Sequence, residues 1–239
     1  MKSGTKKNNH FQFKQFAVDA GLSGMRVSTD GVMLGAWAEL GNRRTLLDIG
    51  TGTGLLALMC AQRYPDLAVT AIDIDDHAIA AARHNLAHSP WPERISLQQG
   101  DVLSYPFEQR FDAIICNPPY FLSGEQASNR QRATARHADQ LDHGQLLVRC
   151  RQLLTPTGTA SFILPKTEGD WFIRLAEADE WYVRRLTSVQ PTEHKPVSRY
   201  LIELSLLTCE LQAEQWPIQQ CGQYSAEFVR LTRAFYLKM

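Results

Sequence analysis

Short apolar runs alternate with segments of helical spacing along most of the chain. Runs of strand length occupy residues 45–49, 68–72, 94–99, 112–116, 158–164, 181–190 and 199–209. Segments with helical spacing of apolar residues occupy 32–40, 55–63, 78–88, 139–154 and 168–180, and a last one follows Ser225. Alternation of the two predicts an α/β fold, in which helices cover a doubly wound and mostly parallel sheet.

The run at 112–116 ends abruptly at Asn117-Pro118-Pro119-Tyr120. Neither proline has a backbone N–H, so the strand cannot continue, and the carbonyl groups near Pro118 are left to face a ligand. Asn117 offers an amide oxygen, Pro118 a fixed carbonyl and Tyr120 a flat ring. This combination suits a planar group that carries an NH2.

A glycine-rich turn, Gly50-Thr51-Gly52-Thr53-Gly54, separates the strand at 45–49 from the helix at 55–63. Closely spaced glycines let the backbone approach a ligand that a Cβ would exclude. The turn lacks the Lys-Ser/Thr pair of a phosphate-binding loop, and an acid, Asp48, precedes it. An acid there suits a ligand with an ammonium or sulfonium cation, which favours adenosylmethionine over nucleotide phosphates.

The next strands also end in polar residues. Asp73 lies about twenty residues beyond the turn, where an acid can accept hydrogen bonds from a ribose diol. Ile74 would lie against the adenine, and Asp101 could accept the adenine amine. Thr29 or Asp30 would cap the helix at 32–40 and form a polar binding corner. The predicted cofactor site is Thr29, Asp30, Asp48, Gly50, Gly52, Gly54, Asp73, Ile74, Asp101, Val102 and Asn117.

Composition limits the possibilities further. The 239 residues are 44% hydrophobic, enough for one substantial core, and the zero formal charge means that any nucleic acid must be bound by local patches. The five cysteines and seven histidines show no ligand spacing, which predicts reduced cysteines and no metal. No stretch approaches the ~18 apolar residues of a membrane span. We therefore expect a soluble, cytoplasmic protein without a membrane partner.

The ordered motifs resemble those of class I adenosylmethionine-dependent methyltransferases. The matching residues are Asp48 to Gly54, Asp73, Gly100-Asp101 and Asn117-Pro118-Pro119-Tyr120, and the likeness covers about residues 25–165. The resemblance implies a Rossmann-like, seven-stranded sheet with one antiparallel strand. The Asn-Pro-Pro-Tyr form is shared by enzymes that methylate planar nitrogens: adenine N6, cytosine N4, guanine N2 and a glutamine side-chain amide.

The fuller pattern resembles one family, the bacterial tRNA1(Val) adenine-N6 methyltransferases, which modify the adenosine 3′ of the anticodon. Its further segments are Phe11-Gln12-Phe13-Lys14-Gln15, Thr29-Asp30-Gly31-Val32 to Trp37, Ala135-Arg136-His137 and His194-Lys195-Pro196. The resemblance implies S-adenosyl-L-methionine as cofactor, S-adenosylhomocysteine as product, and tRNA, specifically a valine tRNA, as partner. Asn117 and Pro118 would orient the amine and Tyr120 would stack on the target base. We expect a monomer without an obligate protein partner.

Basic residues are the candidate RNA contacts, although any of them could instead be an ordinary solvated side chain. They are Lys14, Arg26, Arg130, Arg132, Arg136, Lys195 and Arg199. The predicted organisation is a single domain over residues 1–239. It comprises an N-terminal arm with an edge strand at 1–28, where Phe11 and Phe13 point inward, a catalytic core at 29–210 and a C-terminal tail helix at 211–239.

Three alternatives differ in acceptor or class. A protein glutamine amide is disfavoured because only about 45 residues precede the first glycine motif, too few for the helical N-terminal domain of such enzymes. An rRNA guanine or a DNA adenine is a further possibility, but DNA enzymes of this type usually carry a separate target-recognition domain. A binding module without catalysis conflicts with the intact Asn117, Pro118 and Tyr120.

Overall fold

The computed structural model describes residues 10–23, 25–119 and 142–239. Tyr120 and the candidate RNA contacts Arg130, Arg132 and Arg136 lie outside the described residues. The predictions made for these four therefore stay predictions.

Eleven strands are present in the described residues. They are β1 (His10–Gln12), β2 (Ala17–Asp19), β3 (Thr45–Ile49), β4 (Ala68–Asp73), β5 (Ile95–Gln99), β6 (Phe111–Cys116), β7 (Leu154–Pro165), β8 (Tyr182–Thr192), β9 (Arg199–Ser205), β10 (Gln212–Gln220) and β11 (Gln223–Tyr224). The described helices are α1 (Thr29–Trp37), α2 (Leu55–Arg63), α3 (Asp76–Ala87), α4 (His143–Leu153), α5 (Lys166–Ala178) and α6 (Ala226–Thr232), with a 3-10 turn at Pro92–Arg94.

Nine of these strands form one sheet in the order β11-β10-β8-β9-β7-β6-β3-β4-β5. β9 runs antiparallel to both of its neighbours, whereas β3 to β7 pair in parallel. The seven strands from β5 to β8 therefore match the predicted class I methyltransferase fold, which is confirmed. Beyond them, β10 pairs in parallel with β8, and β11 pairs antiparallel with β10.

The strand β10 corrects the prediction that residues 211–239 form only a tail helix. Its sequence is polar, only Trp216 among its residues is buried, and it contains Pro217. A polar strand at the sheet border gives neither an apolar run nor clear alternation, and an internal proline argues against a strand. The helix predicted after Ser225 is present as α6, and the Ser225 hydroxyl caps it by accepting from Phe228 N.

Helices cover both faces of the sheet, as a doubly wound fold requires. On one face, α1, α2 and the end of α3 pack with α6 around Leu34, Leu58 and Phe228. On the other face, α4 and α5 pack through Leu147 and Phe172. No helix within the described ranges is both long and apolar enough to span a membrane.

The N-terminal strands form a separate hairpin, in which His10 pairs with Asp19. The strand predicted for the N-terminal arm is present as β1, and it pairs with β2 in this hairpin, outside the nine-stranded sheet. Phe13 is fully buried as predicted, whereas Phe11 is 36% exposed. Phe13 stacks on Phe16 and on Tyr236 near the C-terminus, so the hairpin is anchored to the last residues of the chain.

The start of α1 and the end of β9 differ from the predictions. Helix α1 begins at Thr29, and its cap is Ser28, whose hydroxyl accepts from Gly31 N, so the prediction of a Thr29 or Asp30 cap is wrong. β9 ends at Ser205, because the Ser205 hydroxyl accepts from Leu207 N and turns the backbone. The cap of α3 is Asp75, one of the two residues predicted for it.

Candidate active site

Strand register brings the predicted site residues to one edge of the sheet. Ile49 of β3 lies opposite Ile72 of β4 and opposite Cys116 of β6. The glycine turn, Asp73 and Asn117 therefore lie at the ends of neighbouring strands, at the same level of the sheet. We call this border, formed by the carboxyl ends of β3, β4, β5 and β6, the carboxyl edge. It is where open α/β sheets bind their ligands.

Gly50, the first residue of the glycine turn, is exposed, whereas Thr51 to Gly54 are buried. Gly50 has φ +66°, and a Cβ built on it would meet no atom of the described residues within 4 Å. The Gly50 and Thr51 amides donate to the carbonyl of Ile72, which fixes the turn to β4. Gly54 precedes α2 with φ +82° and faces Leu86. An exposed glycine in front of a fixed turn leaves room for a ligand to approach the main chain.

Asp48 braces this turn from inside the protein. The carboxylate is fully buried, and its Oδ2 accepts from Thr51 Oγ1 at 2.6 Å and from Ala57 N at 3.1 Å. Its Oδ1 is buried and has no hydrogen-bond partner among the described residues. Burial raises the pKa of Asp48 to about 7. A buried oxygen without a partner is costly unless a donor or a cation completes it, so this atom suits the ammonium group of a ligand.

The raised pKa of Asp48 gives a pH-dependent stability. Because the folded pKa lies above the unfolded one, its stabilising contribution is fully present below about pH 4 and is lost as the pH rises towards 7. Asp48→Asn resembles the protonated acid. As the pH rises from about 4 to 7, its free energy of unfolding should therefore increase relative to that of the wild type by a few kcal/mol. Urea unfolding at several pH values without cofactor measures this. The control Asp66→Asn alters an exposed carboxylate, and pH curves for Asp48→Asn that run parallel to the wild type would contradict the argument.

Asp73 links the end of β4 to the glycine turn. Its Oδ2 accepts from Gly52 N at 2.8 Å, and its Oδ1 accepts from Asp75 N at 3.0 Å. Each carboxylate oxygen has a second lone pair, so these bonds leave capacity for ribose hydroxyls. Ile74 follows and is 70% exposed, a side chain available to an adenine ring.

The third strand end lies beside the second, since Gly100 N donates to the carbonyl of Asp73. Asp101 is exposed, and its Oδ1 accepts from Leu103 N at 2.9 Å. Val102 is buried, and its carbonyl accepts from Arg149 Nε. The two residues are thus held rigidly, with the Asp101 carboxylate at the surface.

Asn117 and Pro118 directly follow β6 at the carboxyl edge. Asn117 is half-buried, Pro118 is buried and Pro119 is exposed. Two of the three predicted catalytic residues are therefore placed beside the glycine turn.

An ion pair joins two residues to which the sequence assigned different roles. Arg199 Nε donates to Asp30 Oδ2 at 2.8 Å. Arg199 begins β9 opposite Pro165, the last residue of β7, so the pair lies at the level of the carboxyl edge. Thr29 precedes Asp30 and is exposed. Asp30, a predicted cofactor contact, and Arg199, a predicted RNA contact, are thus joined by this ion pair.

The remaining predicted RNA contacts are spread over the surface. Arg26 and Lys195 are exposed, and Lys195 lies in the turn after β8. Lys14 Nζ donates to the carbonyl of Arg233 at 2.6 Å, which gives it a structural contact. This contact brings Lys14 to Arg233, an exposed cation that sequence reasoning missed. No local pattern signals a contact between residues 219 positions apart.

Among residues 10–23, 25–119 and 142–239, no group of three or more His, Cys, Asp or Glu residues is arranged to hold a metal ion.

Comparison with solved structures supports the fold. A predicted O-methyltransferase, protein Atu636 from Agrobacterium tumefaciens, superposes with a TM-score of 0.65 at 17% identity, over 85% of this chain and 95% of that one. The glycopeptide N-methyltransferase MtfA complexed with S-adenosyl-L-methionine gives a TM-score of 0.52 at 16% identity, over 69% of this chain and 87% of its own. At these identities the likeness shows the fold alone.

Sequence relatives are much closer. The family model Methyltransferase small domain matches residues 32–157. The tRNA1(Val) (adenine(37)-N6)-methyltransferase of Vibrio vulnificus strain YJ016 is 58% identical over 239 residues, with both chains fully covered. The proteins of the same name from Vibrio cholerae strain M66-2 and Aliivibrio fischeri strain ES114 are 52% and 49% identical, over 100% and 96% of this chain and 100% and 98% of theirs. The chain carries a methyltransferase small domain and belongs to the tRNA1(Val) (adenine(37)-N6)-methyltransferase family.

Proposed function

We propose that the protein transfers a methyl group from S-adenosylmethionine to the exocyclic N6 of adenosine 37, 3′ of the anticodon, in tRNA1(Val). The observation that carries this is the register of β3, β4 and β6, which gathers the glycine turn, Asp73 and Asn117 at the carboxyl edge. Full-length relatives bear the name of this activity. A base-methylating site therefore has its expected parts in one place.

S-adenosylmethionine fits the residues at this edge. In the described structure open space faces Gly50, and the buried Oδ1 of Asp48, which has no partner among the described residues, suits the ammonium of the methionyl part. Asp73 retains lone pairs for the ribose, and the exposed Ile74 and Asp101 suit the face and the amine of the adenine. The bound cofactor supplies an electrophilic methyl group and leaves as S-adenosylhomocysteine. The prediction that no metal takes part stays a prediction.

The loop after β6 would hold the acceptor. The exocyclic amine of adenine is a poor nucleophile, because its lone pair is delocalised into the ring. If the Asn117 amide oxygen and the Pro118 carbonyl each accept one N6–H, the nitrogen is fixed with its electron density directed at the methyl group. The gain comes from positioning and electrostatics, and no strong base is required before attack. Tyr120 is proposed to stack on the base, which must leave its stack to enter.

The RNA would lie across the carboxyl edge. Arg26 and Lys195 are proposed to contact phosphates, and Arg130, Arg132 and Arg136 stay sequence-based proposals for the same role. Arg199 is proposed to act here too, although its pairing with Asp30 means that it also supports α1. Lys14 would contribute together with Arg233, whose carbonyl it contacts. Single-domain organisation, a monomeric state and a cytoplasmic location stay predictions.

The test is methyl transfer from labelled S-adenosylmethionine to an unmodified tRNA1(Val) transcript, followed by nuclease digestion and nucleoside analysis. We expect the label in N6-methyladenosine. The matched control is the same transcript with guanosine at position 37, which keeps the anticodon arm and removes the acceptor. We expect no label in it.

Each other outcome identifies a specific error. Label in N2-methylguanosine would keep the chemistry of the loop and overturn the acceptor. Label that persists in the control transcript would show that the methylated nucleotide is not the one at position 37. Label confined to rRNA or protein, when cell extract replaces the transcript, would overturn tRNA as substrate.

A further inference from the structure

Asn85 on α3 is a buried amide whose hydrogen bonds reach two separate parts of the chain. Its side chain is 3% exposed. Its Oδ1 accepts from Asp19 N, and its Nδ2 donates to the carbonyls of Asp19 and Thr53, all at 2.9 Å. Both amide hydrogens and the oxygen are therefore used. One side chain ties the end of the N-terminal hairpin to the glycine turn.

After Asp19, the chain runs over α3 and returns to the glycine turn. At Gly21, a Cβ would lie 3.5 Å from the Cβ of Ala81, so the backbone crosses α3 in close contact. Further on, Met25 covers Gly52, since a Cβ built there would meet the Met25 Cε at 3.3 Å and its Sδ at 3.4 Å. Ser28 then caps α1. Residues 19–23 and 25–28, which we call the connecting segment, therefore cross the glycine turn.

Met25 is in contact with the turn and also open to the outside. Its side chain is 42% exposed although it packs on Gly52. A thioether is polarizable and adapts its shape, which suits a wall against a mixed apolar and polar ligand. Gly52 is also the residue whose N–H is held by Asp73. Met25 thus lies over the part of the turn that Asp73 fixes for ligand binding.

We propose that Asn85 is a positioning residue for the cofactor, which fixes the connecting segment to the glycine turn and thereby holds Met25 as one wall of the cofactor site. The inference rests on the proposed function only in taking S-adenosylmethionine as the cofactor. Asparagine is required because the site needs two donors and one acceptor. An aspartate offers no donor, and an apolar residue of similar shape would remove the partner of Asp19 N and of the carbonyls of Asp19 and Thr53.

The test measures S-adenosylhomocysteine binding by calorimetry in Asn85→Asp, Met25→Ala and Met25→Leu. We expect the dissociation constant to rise about tenfold or more in Asn85→Asp, which loses two hydrogen bonds and sets a carboxylate against two carbonyls. Met25→Ala should weaken binding several-fold, whereas Met25→Leu, which refills most of the wall, should recover most of the affinity. In the wild type, the ligand should slow hydrogen exchange in the connecting segment, and Asn85→Asp should lose this protection.

Two control variants separate positioning from general stability. Arg83→Ala alters an exposed residue of the same helix, and Ile173→Ala removes packing on the other face of the sheet. We expect both to bind like the wild type, although Ile173→Ala lowers the melting temperature. An Asn85→Asp protein that melts earlier but binds normally would overturn the positioning role. Unchanged binding in Met25→Ala would contradict the role of Met25 as a wall of the cofactor site. If Asn85→Asp fails to fold, the Met25→Ala result alone tests the proposal. A wild type that binds no ligand would instead overturn the proposed function.

Discussion

Replacing Asn117 with alanine should lower kcat for tRNA methylation by on the order of 10²–10³, the loss seen when one preorganised group in an active site is removed. The alanine cannot accept an N6–H, so the amine loses one of the two contacts that orient its lone pair. Single-turnover kinetics with saturating cofactor and tRNA measure the effect on the chemical step alone. The glycine turn and Asp73 remain, so S-adenosylhomocysteine should bind with nearly unchanged affinity.

A matched variant and a second readout make this test sharper. Asn117→Asp keeps an acceptor oxygen at the same position, so it should retain more activity than the alanine variant. Asn117 was also predicted to contact the cofactor, and the two roles separate in the data. If only kcat falls, Asn117 contacts the target base. If the affinity for S-adenosylhomocysteine falls as well, Asn117 contacts both the base and the cofactor. Near-normal transfer by Asn117→Ala would contradict the orientation mechanism.

The centre of the fold could be predicted because local signals agree there. β3 and α2 have the predicted bounds, since an apolar run, a set of glycines and an apolar helix follow one another without ambiguity. Asp73 and Asn117 could be predicted to lie together because the carboxyl ends of parallel strands meet at one edge. This inference needs only the strand order of the fold class, and not the side-chain contacts.

The parts that could not be predicted depend on contacts between distant residues. Asn85 looks like any polar residue of an amphipathic helix, and only its bonds to residue 19, 66 positions away, show its role. The ion pair of Asp30 with Arg199 spans 169 positions. β10 was missed because it is polar and its pairing with β8, rather than its composition, makes it a strand. For β10, tertiary pairing overrides local propensity.

For Asp48, the sequence predicted the position of the residue but not its burial. The sequence placed an acid before the glycine turn and suggested a partner for a cation, but it could not show that the side chain is fully buried. Burial raises the pKa of Asp48 to about 7 and leaves one of its oxygens unpaired among the described residues. The same side chain therefore braces the turn and, when it is ionised, destabilises the protein without cofactor. Such a balance is common where function and stability compete.

Replacing Asp73 with alanine should raise the dissociation constant of S-adenosylhomocysteine by about a hundredfold, or about 3 kcal/mol, in line with the loss of charge-assisted hydrogen bonds. Two effects act together. The ribose loses its acceptor, and Gly52 N loses the carboxylate that holds the glycine turn to the end of β4. Calorimetry with the full-length protein measures the affinity, and thermal melting in the absence of ligand measures how far the turn is loosened.

The neighbouring carboxylate provides the control for this test. Asp75 Oδ1 accepts from Ala78 N and caps α3, and none of its hydrogen bonds reaches the glycine turn in the described structure. Asp75→Ala should therefore cost about 1 kcal/mol of stability, as a lost helix cap does, and leave the affinity nearly unchanged. If Asp73→Ala and Asp75→Ala weakened binding equally, the loss would come from disturbance of α3. A large loss in Asp73→Ala alone would assign the ribose contact and the turn anchor to Asp73, because the two variants differ only in which part of the strand-to-helix connection they release.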